Sequence, residues 1–202
     1  MIYIINETYE RAYFITLEKL LSEKYKIKND KKIAYETNAC LSFNHLVDMA
    51  EIIGGRFISN YNYDMIIPKG NQQMQFELEY YKKLFIDTMK IDYVVKTLYE
   101  DSSSKHAVIK VSNEYDPQLP CQMYQFIRIL NGKIHANAHM RANNGFGLLL
   151  MDMHLNNAIV AYVAKELRIP VSQYTHFVDS LHLYKRDLDI DETNHTLDLS
   201  TN

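Results

Sequence analysis

One dipeptide in the middle of the chain constrains its fold more than any other feature. Asn131-Gly132 separates two β-rich runs, Tyr124–Leu130 and Lys133–Arg141. This dipeptide is typical of a two-residue type I′ hairpin turn, because both central residues of that turn need positive φ. The sequence therefore predicts an antiparallel β-hairpin over residues 124–141.

The second run of this hairpin alternates between apolar and polar residues, as a strand with one buried face does. The apolar residues are Ile134, Ala136, Ala138 and Met140, and the polar ones are His135, Asn137, His139 and Arg141. The two histidines suggest a metal site, but no carboxylate or cysteine stands at ligand spacing from them. The sequence therefore predicts one polar sheet face and no metal site.

Two further stretches, residues 7–23 and 151–167, have the periodicity of amphipathic helices. In the second, apolar residues recur every four positions, and Pro170 then ends the helix. Asp152 stands in the first turn of this predicted helix. The helix dipole favours an acidic residue there, whether or not that residue has a function.

A third helix is predicted over about residues 72–90, with Glu77 on the shoulder of its buried stripe. The stripe comprises Met74, Leu78, Tyr81 and Phe85. Glu77 is either a solvated side chain, which the helical wheel by itself favours, or a carboxylate pressed against a pocket. In a pocket, burial would raise its pKa and suit it to proton transfer.

Other strands are predicted at residues 33–35, 52–58, 108–111 and 171–184. Gly54-Gly55 suggests a bulge in the second of these. In the last one Ser180, His182 and Tyr184 share a face, because side chains two apart point the same way. The acidic and polar residues from about 187 to 202 have little to bury and are predicted to form a tail.

Composition narrows the class of protein. A chain of 202 residues that is 47% hydrophobic can bury one sizeable core, so a single domain over residues 1–202 is expected. The formal charge of the chain is −3, and its basic residues do not form the cluster that a nucleic-acid-binding surface needs. No membrane span or signal peptide is recognisable, so a cytoplasmic location is expected. Cys40 and Cys121 are too few for a disulfide framework, and each is either an inert buried residue or a single reactive thiol.

The order and spacing of three elements resemble the thymidylate synthase superfamily. They are Cys121 preceded by Pro120, Arg141 on the hairpin, and a His182-x-Tyr184 pair 41 residues after that arginine. Three blocks bring the resemblance closest to the phage-type deoxycytidylate hydroxymethylases. The blocks are 51–54 (EIIG), 77–82 (ELEYYK) and 134–141 (IHANAHMR), the last followed by Asn143.

The resemblance implies an α/β fold in which helices pack on a mixed sheet. In this superfamily the phosphate site is built across a twofold interface, so a homodimer is expected, with one sheet face forming the interface. The substrate implied is a pyrimidine nucleoside monophosphate, and the one-carbon donor is 5,10-methylenetetrahydrofolate. Transfer to C5 followed by water gives a hydroxymethyl group, whereas hydride gives a methyl group.

By the same resemblance, each motif residue has an expected role. Cys121 is the nucleophile that adds to C6 of the base, and Arg141 binds the phosphate and lowers the thiol pKa. Glu77 organises water and proton transfer at the ring. His182 and Tyr184 hydrogen-bond the sugar hydroxyl.

Asp152 is the position that distinguishes the substrates. It stands 11 residues after Arg141, where thymidylate synthases carry an asparagine that pairs with uracil. A carboxyl group accepts a hydrogen bond from the cytosine amino group and, when protonated, donates one to N3. The resemblance therefore implies a cytidine nucleotide and a 5-hydroxymethyl product.

Several positions depart from the superfamily pattern. Lys105 is the nearest counterpart of the arginine pair that, in the superfamily, one subunit donates to the phosphate site of the other. Asn144 stands where the synthases carry an aspartate. Both residues are expected to bind substrate. The chain has no Trp, and the segment 86–120 is short for the elements that hold folate. The alternatives are a divergent thymidylate synthase that methylates dUMP and a catalytically silent nucleotide-binding protein of the same fold.

Overall fold

The computed structural model describes residues 1–28, 30–45, 89–110, 121–146 and 148–188. In chain order its strands and helices are β1 (Ile2–Ile5), α1 (Tyr9–Leu20), β2 (Ile33–Phe43), α2 (Met89–Glu100), β3 (Val108–Lys110), β4 (Gln122–Leu130), β5 (Lys133–Asn144), α3 (Leu149–Leu167) and β6 (Val171–Tyr184). Two short 3₁₀ helices follow α1 and β6, at Glu23–Tyr25 and Lys185–Leu188. The predicted strand at 52–58, its Gly54-Gly55 bulge and nearly all of the predicted helix at 72–90 lie outside the described residues.

The strands of the described residues form one mixed sheet in the order β1-β2-β6-β5-β4-β3. The pairs β1–β2 and β5–β6 are parallel, and the other three pairs are antiparallel. The predicted α/β fold with helices on a mixed sheet is therefore confirmed. Among the described helices none is long and apolar enough to cross a membrane.

The predicted hairpin is confirmed and is longer than its sequence pattern. Its strands, β4 and β5, are joined by Asn131 and Gly132, which have φ values of 51° and 70°. Positive φ at both turn residues matches the right-handed twist of the flanking strands. The four apolar residues of β5 are buried, whereas Arg141 on the polar face is exposed. The alternation therefore did predict which face of this strand meets the core.

Helices α1 and α3 confirm the two helices predicted at residues 7–23 and 151–167. Thr8 caps α1, because its hydroxyl accepts a hydrogen bond from the Arg11 backbone N at 3.2 Å. Helix α3 is buried without a break from Leu149 to Val160, so it is a core helix rather than a surface one. It ends ahead of Pro170, where Arg168 takes the left-handed conformation with φ of 55°.

Helix α2 was not apparent from the sequence. Its buried residues are Ile91, Val94 and Leu98, a spacing of three and four that is correct for a helix. Tyr93 and Tyr99 on its other side are 52% and 83% exposed. Because these tyrosines add large aromatic side chains to the exposed side, no single apolar stripe marks this helix in the sequence.

Strand β6 changes which of its residues face the core part-way along its length. Tyr174 and Val178 are buried, and further on Leu181 and Leu183 are buried, so the core positions change from even to odd. The register against β2 is irregular at the same level, since Thr37 pairs with Leu181 but Ala39 pairs with Val178. Because of this β-bulge, the His182 side chain is on the sheet face opposite the apolar core.

The core also contains a buried histidine, His176 on β6. Its Nδ1 lies 2.8 Å from the Tyr174 hydroxyl, and its Nε2 has no hydrogen-bond partner among the described residues. Burial, with a smaller contribution from the charge of His139, lowers the pKa of His176 to about 3. His176 is therefore neutral in the folded protein at every pH at which the fold is expected to be stable.

The folded protein should lose stability in mild acid because of His176. Below pH 6.5 an unfolded histidine binds a proton that folded His176 does not, so the free energy of unfolding falls by about 1.4 kcal/mol per pH unit. Between pH 6.5 and pH 5 the loss amounts to about 2 kcal/mol. Urea unfolding across this range should give a shallower pH dependence for His176→Gln than for the wild type. Parallel curves would contradict the assignment, and His135→Gln on the opposite face of the sheet controls for the substitution.

Candidate active site

The motif residues of the chain meet at one end of the sheet. Cys121 immediately precedes β4, Arg141 and Asn144 are near the end of β5, and His182 and Tyr184 are at the end of β6. The backbone N of Arg141 donates to the Cys121 carbonyl oxygen at 2.8 Å. Asn144 and His182 are direct partners in the β5–β6 pair. Because β4 runs antiparallel to β5 while β6 runs parallel to it, residues far apart in sequence converge here.

Tyr184 lies among the charged groups of this end of the sheet. Burial raises the pKa of its hydroxyl; the charges of Arg186 and Arg141 lower that pKa, and those of Cys121 and Asp187 raise it. The guanidinium carbon of Arg186 is 4.7 Å from the centre of the Tyr184 ring. The nucleophile candidate and two guanidinium groups therefore surround one phenol.

His182 is nearly enclosed, with 7% of its surface exposed. Its ring meets that of Tyr184 edge to face, with centroids 4.7 Å apart. Burial lowers the pKa of His182 below its ordinary value, although the hydrogen bond to the Ser180 backbone and the charges of Glu36 and Asp187 act in the opposite direction. The imidazole is therefore neutral near pH 7 and presents one acceptor and one donor nitrogen.

Asp152, in the first turn of α3, is fully buried and belongs to a polar cluster that includes Gln122, the residue after Cys121. The Asn143 amide Nδ2 donates to Asp152 Oδ2 at 3.1 Å. One turn along the helix, the Asn156 side chain donates to the Asp152 backbone oxygen at 2.9 Å and accepts from Gln122 Nε2 at 2.6 Å. Because Gln122 directly follows Cys121 and Asn143 is two residues beyond Arg141, this cluster fixes the start of α3 against the motif residues.

Of the two remaining predicted site residues, Glu77 lies outside the described residues. Lys105 precedes β3, which runs antiparallel to β4 and pairs Lys110 with Tyr124 and Val108 with Phe126. Lys105 therefore lies towards the opposite end of the sheet from Cys121.

Asn144, expected to bind substrate, also has a structural role. Its Nδ2 donates to Asp187 Oδ2 at 3.0 Å, and its Oδ1 accepts from the Phe146 backbone N at 2.9 Å. Asp187 was assigned to the polar tail, but within the described chain it is part of a 3₁₀ helix that begins where β6 ends. The contact of Asn144 with Asp187 thus extends the site end of the sheet beyond β6.

Some residues of this site were not recognised in the sequence. They are Glu36, Gln122, Asn156, Arg186 and Asp187, together with Gln125, whose Nε2 donates to the Asn156 backbone oxygen at 2.9 Å. A signal was available for Asn156, since Asn156-Asn157 puts two polar amides into a largely apolar stretch of α3, and the structure buries that stretch. For Glu36 no local signal exists, because its position beside His182 results from the pairing of β2 with β6.

No group of three or more His, Cys, Asp or Glu side chains within the described ranges is arranged to hold a metal ion. On β5, His139 Nε2 is 2.9 Å from Asp179 Oδ2, and its Nδ1 is 3.1 Å from the Tyr124 hydroxyl, so both ring nitrogens have partners in the chain.

Two archaeal proteins are similar to this chain. One, from Methanocaldococcus jannaschii, is 26% identical over 154 residues, which are 68% of this chain and 68% of that protein. The other, from Methanosarcina barkeri, is 26% identical over 107 residues, about half of each chain. Each carries the name "Putative thymidylate synthase". No protein-family model matches the chain. Together with the mixed sheet and its helices, these similarities support a place for the chain in a thymidylate synthase-like superfamily.

Proposed function

We propose that the protein transfers a one-carbon unit from 5,10-methylenetetrahydrofolate to C5 of a cytidine monophosphate, giving the 5-hydroxymethyl nucleotide. The observation that carries this proposal is the buried carboxyl group of Asp152, which is linked through Asn143 to β5 and through Asn156 and Gln122 to the start of β4. The names of the two relatives support one-carbon transfer to a pyrimidine nucleotide, and the identity of residue 152 supports cytosine as the base.

In this proposal Cys121 acts as a thiolate that adds to C6 of the pyrimidine, which makes C5 nucleophilic. The guanidinium of Arg141 holds the phosphate through two parallel hydrogen bonds and stabilises the thiolate. Glu77 moves a proton at the ring and positions water. His182 and Tyr184 bind the sugar hydroxyl, with Asn144 as a further substrate contact.

In this proposal Asp152 recognises the hydrogen-bonding edge of the pyrimidine base. Since Asn143 donates to Oδ2, that oxygen acts as an acceptor in the cluster. A protonated carboxyl group would donate to N3 of cytosine and accept from its amino group, whereas uracil would face it with the reverse pattern. Each mispaired buried group costs about 1–3 kcal/mol, which is enough to select one base.

The one-carbon donor supplies an electrophilic methylene carbon when it is bound. Close to the site, Phe146 follows Asn144 by two residues and is 42% exposed, so it offers an aromatic surface to a flat ring. The Tyr13 hydroxyl donates to the Phe146 backbone oxygen at 2.8 Å and holds this turn in place. These residues fit a ring system stacked beside the nucleotide.

We expect that cytidine hydroxymethylation depends on Cys121 and not on Cys40. Incubation with dCMP and labelled 5,10-methylenetetrahydrofolate should give 5-hydroxymethyl-dCMP, and Cys121→Ala should lower its rate roughly a thousandfold or more. Cys40→Ala is the matched control, because Cys40 is also a buried cysteine but lies on β2, and burial raises the pKa of its thiol.

Two outcomes would overturn this assignment. Release of tritium from C5 of dUMP, with none from C5 of dCMP, would make the protein a thymidylate synthase, as the relatives' names suggest. Nucleotide binding without turnover under any folate condition would make it a silent nucleotide-binding protein.

Asp152→Asn should shift base preference towards uracil. An amide both accepts and donates, so it pairs with N3–H and O4 of uracil but loses a cytosine contact. The ratio of kcat/KM for dCMP over dUMP should fall by about ten- to a hundredfold. An unchanged ratio would refute the role of Asp152, and Asp92→Asn on the exposed side of α2 controls for removal of a carboxylate.

We further propose a homodimer formed through the sheet face opposite the helices. Residues that are direct partners on neighbouring strands have their side chains on the same face of the sheet. One row of such partners crosses five neighbouring strands on the face opposite the helices. Its members are Tyr3, Cys40, Phe177, His139 and Tyr124. A cavity of about 650 Å³ lies on this face and is lined by Phe126 and Val108 as well as by members of this row. A substrate contact from Lys105 would then come from the second copy.

Phe177→Glu should disrupt this dimer, because a carboxylate would be buried in the middle of the interface without a partner. Phe177 is 36% exposed in the single chain. Light scattering should show a dimer for the wild type and a monomer for the variant. Phe14→Glu on α1, where Phe14 is 66% exposed, should leave the dimer intact. A monomeric wild type would contradict the proposal.

A further inference from the structure

We propose that Glu36 and Ser180 are positioning residues that hold His182 in the tautomer whose Nε2 accepts a hydrogen bond from the 3′-hydroxyl of the nucleotide sugar. This inference rests on the proposed function, because it assumes that His182 binds a sugar hydroxyl. It assigns roles to two residues outside the motif, one of them on a different strand.

The geometry begins with the pairing of β2 and β6. Glu36 is the direct partner of His182 in that pair. The Ser180 hydroxyl donates to Glu36 Oε1 at 2.6 Å, a short distance typical of a hydrogen bond to a carboxylate. Ser180 and His182 are two apart on β6, so one carboxylate from the neighbouring strand holds the serine beside the histidine.

The proton of Ser180 decides what its oxygen can do for His182. A serine hydroxyl has one proton, and in this arrangement Glu36 receives it. The remaining lone pairs can only accept. His182 Nδ1 lies 3.4 Å from this hydroxyl oxygen and 3.1 Å from the Ser180 backbone oxygen, which is also an acceptor.

Because both neighbours of Nδ1 are acceptors, Nδ1 carries the proton of the neutral imidazole. Nε2 is then the acceptor nitrogen. The charged groups near His182 are Glu36 on β2 and Asp187 after β6, while its partner on β5, Asn144, carries no charge. Burial keeps the ring neutral against these two carboxylates, so Nε2 is held as an acceptor.

An acceptor at this position selects for a donor on the ligand. A sugar with a 3′-hydroxyl supplies that donor, and a 3′-deoxy sugar does not. Discrimination between the two sugars should therefore depend on Ser180 and Glu36, although neither needs to touch the nucleotide. Without the Ser180 hydroxyl, Glu36 loses its link to His182 and Nδ1 keeps only the backbone oxygen of residue 180 as an acceptor, so the ring is held less firmly in one orientation and one tautomer.

The first experiment compares binding of dCMP and 2′,3′-dideoxycytidine monophosphate by calorimetry with the full chain. The wild type should bind dCMP about tenfold or more tightly than the dideoxy nucleotide. Ser180→Ala and Glu36→Gln should each reduce the ratio of the two affinities several-fold, mainly by weakening the binding of dCMP. Ser180→Thr should restore the ratio. Ser172→Ala, at the other end of β6, is the matched control and should keep the wild-type ratio.

The second experiment needs no ligand. In ¹⁵N NMR spectra the His182 ring, identified by its loss in His182→Gln, should show the Nδ1–H tautomer in the wild type and a mixture in Ser180→Ala. An Nε2–H tautomer in the wild type, or a Ser180→Ala spectrum equal to that of the wild type, would overturn the positioning role.

The two readouts separate the possible failures. If the wild type binds neither dCMP nor dUMP, the proposed function fails and the sugar role fails with it, whereas the tautomer measurement still decides whether Glu36 and Ser180 position His182. If dCMP binds but Ser180→Ala keeps the same affinity ratio of dCMP over the dideoxy nucleotide as Ser172→Ala, the proposed function stands and this inference is wrong.

Discussion

The parallel pairing of β5 with β6 is the interaction on which the rest of the site depends. It aligns Asn144 with His182 and thereby brings the end of the hairpin, with Arg141, against the end of β6, with Tyr184. The two strands are joined through α3, and this β-α-β connection places the helix across the sheet. The helix that closes the core thus also delivers Asp152 to the same end.

This arrangement requires polar groups to be buried in the core, which is costly unless they are hydrogen-bonded. The cluster of Asn143, Asp152, Asn156 and Gln122 meets most of that requirement through hydrogen bonds between three elements, although Asn143 Oδ1 has no hydrogen-bond partner among the described residues. A carboxyl group held in such a cluster has a restricted orientation, and this makes Asp152 suited to distinguishing one base edge from another. Two members of the cluster, Gln122 and Asn143, are close in sequence to Cys121 and Arg141. The same contacts therefore contribute both to the packing of the core and to the geometry of the site.

Local patterns predicted most of the elements that the structure describes. The hairpin, α1, α3, β3 and β6 each have a clear period or turn signal within their own residues. Helix α2 lacks one, since Tyr93 and Tyr99 obscure its apolar stripe. For the site, ordered spacing was enough to single out Cys121, Arg141, Asp152, His182 and Tyr184 as candidates. Four of them lie at or next to the strand ends of β4, β5 and β6 that meet at one end of the sheet, whereas the role of Asp152 stays a prediction. Spacing carries no information about Glu36 or Asp187, whose positions are set by strand pairing and by the turn after β6.

The sequence by itself determined the hairpin, the buried and exposed faces of β5, the two helices that flank the sheet, and the order of the motif residues. Each of these follows from interactions within a few residues of the chain. Only the tertiary structure decided that β6 lies between β2 and β5, that a bulge turns His182 away from the apolar core, and that Glu36 faces it. All three features depend on the pairing of β2 with β6, whose partners are more than a hundred positions apart, and no local pattern encodes which strands will pair or in which register.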